Sequence, residues 1–156
     1  MRLSRPETLA FLESHARIDP TFAPFVRTAR ARGASVAVVS AGIRAVIGPA
    51  LERAGVDVPV FANDVDFDPG GWAMRFVDDS PLGHDKAARV AAARSAGSRT
   101  VYAGDGISDF EAAHAADAVF AKRGRALERY CRERGVPFTP FSSFDEIAAV
   151  LFAPET

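Results

Sequence analysis

Residues 99–110 run RTVYAGDGISDF, from Arg99 to Phe110. The first half, 99–104, is a short β-prone run that reads as a buried strand, and 106–116 reads as a helix. A strand that ends in Gly104-Asp105-Gly106 and feeds a helix is the connection of a βαβ unit. Working outward, the same alternation recurs. SVAVVS at 35–40 is apolar and β-branched with no polar alternation, the pattern of a strand covered on both faces. Further strands are expected at 58–63, 117–122 and 136–141, the last with Pro near its ends and therefore an edge. Helices are expected at 41–55, 84–97, 124–135 and 142–152, several closed by glycine as at Gly55. Ser143 and Glu146 have the spacing of a capping box. The stretch 64–77 holds Pro69-Gly70-Gly71 between two β-prone pieces and reads as a hairpin. Two helices, 7–16 and 20–32, precede the first strand, and Gly33 stops the second. This order predicts an α/β fold, a Rossmann-like parallel sheet with flanking helices.

The composition suits one such unit. The chain has 156 residues, 48% hydrophobic and 25% charged, and a net charge of −1. That balance argues against a nucleic-acid partner held by a general positive field. No apolar run reaches the length needed to span a bilayer, and MRLSRPETLAFLESHAR lacks the apolar core of a signal peptide, so the expected location is cytoplasmic. The single Cys131 rules out an internal disulfide framework. Basic residues are 17 Arg against 2 Lys, a bias that a GC-rich genome would produce, and each Lys raises the question whether the planar fork of Arg would fail where a compact point charge stands.

In open parallel sheets functional groups collect beyond the carboxyl ends of the strands. Ser40, Ala41 and Gly42 follow the first strand, where a hydroxyl and free backbone N–H groups would form an anion site at a helix start; alone, Ser40 reads first as an N-cap. Asp105 and Asp109 follow the strand at 99–104. A carboxylate pair there suits a hard cation such as Mg²⁺. Lys86 opens a helix, where acids are normally preferred, and a positive charge there suits a phosphate. His84, beside it, reads as a surface histidine, and His15, His84 and His114 do not cluster with Cys131 at metal spacing.

Together the fragments are far more specific. A Ser after a buried strand, a Lys at a helix start 46 residues on, and GDGxSD beginning 18 residues after that Lys resemble motifs two, three and four of the haloacid dehalogenase (HAD) superfamily of phosphatases. VVSAGI, VFAND and the tail DAVFAKRGRALERYCRERGVPFTPFSSFDEIAAVL are similar to its phosphoserine-phosphatase-like branch. They look most like the methionine-salvage phosphatases acting on 2-hydroxy-3-keto-5-methylthiopentenyl-1-phosphate. The resemblance runs from about Leu9 to Leu151. It implies an Mg²⁺-dependent hydrolase of a small phosphorylated metabolite, working through an aspartyl-phosphate. Ser40, with Ala41 and Gly42, would bind the phosphate. Lys86 would neutralise charge on phosphate and nucleophile. Asp105 would ligate Mg²⁺, and Asp109 would hold the metal's water shell or Lys86. The four side chains are expected to converge on one cleft.

The family's first motif, Asp-x-Asp-x-Thr after a first strand, is absent from the 156 residues. Asp64, Asp66 and Asp68 do not replace it, because they lie in a hairpin after motif two and mark its solvated face. The resemblance puts the first strand in mid-sheet, between the strands ending at Ser40 and Gly104. The chain is therefore expected to hold a remnant of a helical cap at 1–34 and, at 35–156, a HAD-like core lacking its central first strand, and to be inactive alone. The missing motif would come from an N-terminal segment or a second chain. A non-catalytic, pseudo-phosphatase binding module is the alternative.

Overall fold

In the computed structural model, which describes residues 4–81 and 83–154, helices and strands alternate as the periodicity predicts. The elements are α1 (Arg5–His15), α2 (Phe22–Ala31), β1 (Val38–Ile43), α3 (Arg44–Arg53), β2 (Val60–Asp68), β3 (Gly71–Arg75), α4 (Lys86–Ser95), β4 (Val101–Gly104), a 3-10 turn (Ile107–Asp109), α5 (Phe110–Ala115), β5 (Ala118–Lys122), α6 (Ala126–Arg134), β6 (Thr139–Phe141) and α7 (Phe144–Leu151). The chain divides into two compact units, residues 1–84 and 85–156. The outermost residues of the expected 1–34 and 35–156 divisions lie outside the described residues.

The first unit holds a three-stranded sheet in the order β1-β2-β3. β1 and β2 are parallel, from Val38 opposite Val60 to Ser40 opposite Ala62. β2 then runs on without a break into the hairpin, pairing antiparallel with β3 from Asp64 opposite Arg75 to Asp68 opposite Gly71. The alternation in the hairpin is the expected one. Val65 is buried, whereas Asp66 and Asp68 are exposed, and Arg75 spans Asp64 and Asp66 at 3.4 and 3.7 Å. Phe22, Val26 and Ala29 of α2 and Ala50 and Leu51 of α3 supply buried apolar side chains. The capping box of this unit is at Ser4, whose N–H reaches the Glu7 carboxylate at 2.8 Å.

The second unit holds a parallel sheet in the order β4-β5-β6, with β6 at the edge as its prolines predict. Leu127 and Cys131 of α6 pack on Val119 and Ala121 of β5. Val90 of α4 packs with Tyr102 and Ala112. Ser143 makes no side-chain cap at α7; the Glu146 N–H donates to the Ser143 carbonyl at 3.2 Å, and the Glu146 carboxylate accepts from Arg123 at 2.6 Å and from the Ser142 N–H at 3.3 Å.

The sheet is in two pieces, and β1 and β4 each lie at an edge of their own piece. Two expectations change. Neither strand is covered throughout: β1 is half-buried to exposed, and Val101 is 42% exposed, because an edge strand lacks the neighbour that would close it. Secondly, the first strand runs three residues further than expected. Ser40 pairs with Ala62 and Ile43 with Asn63, Ala41 and Gly42 continue the strand across the irregularity between them, and the helix starts only at Arg44. Among the described residues no helix is long and apolar enough to cross a membrane.

Candidate active site

The turn after β4 is organised around one carboxylate. Asp109 is the last residue of the 3-10 turn, and its side chain folds back under Gly104. One oxygen, Oδ1, accepts from Lys86 Nζ and from the Tyr102 hydroxyl, both at 2.6 Å. The other, Oδ2, accepts from the backbone N–H groups of Asp105 and Gly106, both at 2.9 Å. An ionised carboxylate offers about four acceptor sites, and all are used. Gly104 is required by this packing rather than by a sharp turn. A Cβ there would sit 2.6 Å from Asp109 Oδ2, and neither Gly104 nor Gly106 takes a positive φ.

Lys86 is the first residue of α4, with Asp85 capping the helix through Ala88 N–H at 2.9 Å. The Lys86 and Asp109 side chains are only 8% and 6% exposed. A buried ammonium at a helix start is doubly unfavourable, and Asp109 is what makes it tolerable. Lys86 also donates to Ser108 Oγ at 2.8 Å. An ammonium has three protons, so one remains for a ligand. Burial works to raise the Asp109 pKa, but the bonds from Lys86, Tyr102 and Gly106 outweigh it and hold the carboxyl below its usual range. Burial and the neighbouring carboxylates of Asp109 and Asp105 push the Tyr102 hydroxyl upward, so it remains a donor.

Asp105 is different. Its side chain is exposed and makes no hydrogen bond or ion pair among the described residues, so its oxygens are available to a cation. Magnesium is commonly held by one or two carboxylates with waters completing an octahedron. Asp105 fits that role. With all its acceptor sites used, Asp109 is better suited to hold Lys86 than to touch a metal. Among the described residues no group of three or more His, Cys, Asp or Glu side chains is placed to hold a metal.

Ser40, Ala41 and Gly42 belong to the first unit. They form an irregular strand end rather than a helix start, since the register with β2 slips between Ser40 and Ile43. Gly42 N–H donates to Ser40 Oγ at 3.0 Å. A Cβ at Gly42 would meet that oxygen at 3.2 Å. The sequence reading misplaced one side chain here. His84, expected on the surface, is 4% exposed, and its Nδ1 lies 3.1 Å from the Ser40 carbonyl. Asn63, at the carboxyl end of the second expected strand and so a residue to examine from the sequence alone, is 1% exposed and donates to the Ala41 carbonyl at 3.0 Å. In the second unit Tyr102 and Ser108 stood inside the quoted motif without a role; a strand tyrosine looks like core until its hydroxyl is seen.

The sequence profile of the haloacid dehalogenase-like hydrolases matches residues 1–114. The chain belongs to that family. Among HAD relatives, polyol phosphate phosphatase PYP1 of Saccharomyces cerevisiae is 34% identical over 92% of this chain and 66% of its own length. The 2-hydroxy-3-keto-5-methylthiopentenyl-1-phosphate phosphatase of Exiguobacterium sibiricum is 29% identical over 92% of this chain and 67% of its own length. The chain thus spans about two thirds of these HAD phosphatases. The phosphoserine phosphatase of T. onnurineus superposes with a TM-score of 0.68 at 19% identity, covering 94% of this chain and 64% of that one, which supports a shared fold.

Proposed function

We propose that this chain carries the charge-neutralising part of a cytoplasmic, Mg²⁺-dependent phosphomonoester hydrolase acting on a small phosphorylated metabolite. One observation carries the reading. Lys86 is a buried ammonium, pinned by a saturated Asp109 and keeping one proton unused, on the same turn that leaves the Asp105 carboxylate free. Phosphoryl transfer draws most of its rate from positioning and charge neutralisation, and this arrangement supplies both. The similarity to polyol phosphate and methylthiopentenyl-phosphate phosphatases supports a small phosphorylated substrate.

In this reading Lys86 neutralises the phosphate and the attacking carboxylate, while Asp109 and Ser108 hold its ammonium in place. Ser40, with the Ala41 and Gly42 backbone, binds phosphate oxygens. Asp105 holds Mg²⁺, which when bound offsets phosphate charge. The attacking carboxylate is not among the 156 residues. It comes from an Asp-x-Asp-x-Thr segment, in the same polypeptide or on a second chain. It forms a bond to phosphorus as the ester P–O bond breaks; the alcohol takes up a proton, and water then hydrolyses the aspartyl-phosphate.

The test is phosphate release from p-nitrophenyl phosphate with Mg²⁺. The 156-residue chain alone is expected to show no turnover. With an Asp-x-Asp-x-Thr segment supplied, turnover is expected, and Lys86→Ala or Asp105→Ala should abolish it. Robust turnover by the chain alone that survives substitution of Asp64, Asp66 and Asp68 would overturn the reading. If the supplied segment gives no turnover while phosphate still binds, the non-catalytic binding module takes its place.

A further inference from the structure

We propose that His84 and Asn63 are positioning residues that together orient the Ser40–Gly42 turn for an anionic phosphate oxygen. The inference rests on the reading of that turn as the phosphate-binding element. Two consecutive backbone carbonyls, Ser40 and Ala41, are each held by a buried side chain from elsewhere in the first unit. His84 Nδ1 meets the Ser40 carbonyl at 3.1 Å and Asn63 Nδ2 meets the Ala41 carbonyl at 3.0 Å.

The assignment of donors follows from chemistry. A carbonyl can only accept, so His84 Nδ1 carries its proton whether the ring is neutral or cationic. Asn63 Oδ1 accepts from Val77 N–H at 2.9 Å, which fixes its amide with the nitrogen toward Ala41. Asn63 thereby ties the turn to the end of the β2–β3 hairpin.

Peptide planarity passes this control forward. In a trans peptide the N–H points opposite to the C=O of the same unit, and no cis peptide occurs among the described residues. Holding the Ala41 carbonyl therefore aims the Gly42 N–H, and that N–H donates to Ser40 Oγ at 3.0 Å. With one lone pair of Ser40 Oγ occupied, its own proton is directed elsewhere, and it has no acceptor among the described residues. A hydroxyl proton with no protein acceptor, on a half-buried serine, suits an anionic oxygen.

His84 also carries a cost that packing alone would not require. Its Nε2 is buried with no hydrogen-bond partner among the described residues. Leaving such a group unpaired carries a desolvation penalty, which an apolar ring of similar volume would avoid. What an apolar ring could not supply is the bond to Ser40.

The test is a titration of the ¹⁵N-labelled 156-residue chain with inorganic phosphate, followed at the Ser40, Ala41 and Gly42 amides. Ser40→Ala tests the underlying reading. Asn63→Asp removes the donor at constant shape. His84→Phe removes the donor but keeps a ring, and His84→Asn restores a donor near the Nδ1 position. Asn63→Asp and His84→Phe are each expected to weaken phosphate about five- to tenfold, the factor carried by roughly one hydrogen bond. His84→Asn should recover most of that loss, a rescue that generic destabilisation would not show. If Ser40→Ala weakens binding while Asn63→Asp and His84→Phe leave it unchanged, the positioning role is wrong and the phosphate turn stands. If Ser40→Ala changes nothing, the phosphate turn falls and the positioning role falls with it. Should Asn63→Asp or His84→Phe unfold the first unit, His84→Asn decides: folded chain with wild-type affinity supports the role, and folded chain with the affinity lost overturns it.

Discussion

The two units secure their candidate site groups by different means. In the second, a buried charge pair does the work: Asp109 collects four donors and holds the Lys86 ammonium. In the first, neutral hydrogen bonds from His84 and Asn63 hold backbone carbonyls, and no buried ion pair is found among the described residues. The difference teaches what each part is for. A group that must keep a positive charge out of water needs a saturated counter-charge, whereas a backbone turn needs only its peptide planes fixed.

The sharpest test removes half of the charge pair. Lys86→Ala leaves Asp109 buried and uncompensated, a loss of about 3–5 kcal/mol from the second unit. Replacing both, as Lys86→Met with Asp109→Asn, removes both charges while keeping an oxygen for the Asp105 and Gly106 N–H groups, and should return part of that stability. Urea denaturation with hydrogen exchange resolved over residues 85–156 checks both. A loss spread evenly over both units would break the contrast.

Gly104→Ala comes next. The new methyl would strike the Asp109 carboxylate, 2.6 Å away, and overpacking of this kind costs about 1–3 kcal/mol. The Tyr102–Asp109 and Lys86–Asp109 bonds should loosen together, seen as faster exchange at the Asp105 and Gly106 amides. Unchanged protection there would mean that the carboxylate has room to move.

In the first unit, Asn63→Ala strands the Ala41 carbonyl and the Val77 N–H, at about 1–3 kcal/mol. The loss should be confined to residues 4–84 in the same exchange experiment. An equal loss in residues 85–156 would show that the two networks are not separable.

Acid gives the smallest and most general contrast. In the second unit Asp109, Asp117, Glu128 and Glu146 all have lowered pKa values. For Asp117 the Thr100 backbone N–H is the main cause, for Glu128 the Arg132 side chain, and for Glu146 the Arg123 side chain. In the first unit the exposed Glu7 is lowered, chiefly by its bonds with Ser4. A carboxylate with a depressed folded pKa stabilises above its unfolded pKa, and that contribution is lost as pH falls through the folded value. Below about pH 4, the second unit should therefore lose stability faster than the first. A pH series of exchange protection reads this directly, and parallel loss in the two units would contradict it.

Much of this was legible in the chain. Apolar runs of four to six residues between helical periods located the strands, and the joint resemblance of Ser40, Lys86 and Gly104-Asp105-Gly106 to known motifs pointed to the chemistry. The Ser40 turn was harder. Small residues such as Ala41 and Gly42 accept helix or strand, and only the pairing of Ser40 and Ile43 on either side of them decided for strand. Likewise Ser143 had the spacing of a cap, but the Glu146 N–H donates to the Ser143 carbonyl instead of its hydroxyl.

The sequence by itself determined the α/β order, through its periodicity, and singled out Lys86, Asp105 and Asp109 as the residues to watch; the family came from the resemblance of those fragments to known phosphatase motifs. Only the tertiary structure decided that Asp109 is spent on Lys86 and Tyr102 while Asp105 stays free, and that His84 and Asn63 reach Ser40 and Ala41 across 44 and 22 residues. Hydrogen bonds between distant residues leave no local pattern in a chain; they exist only once packing has removed the competing water.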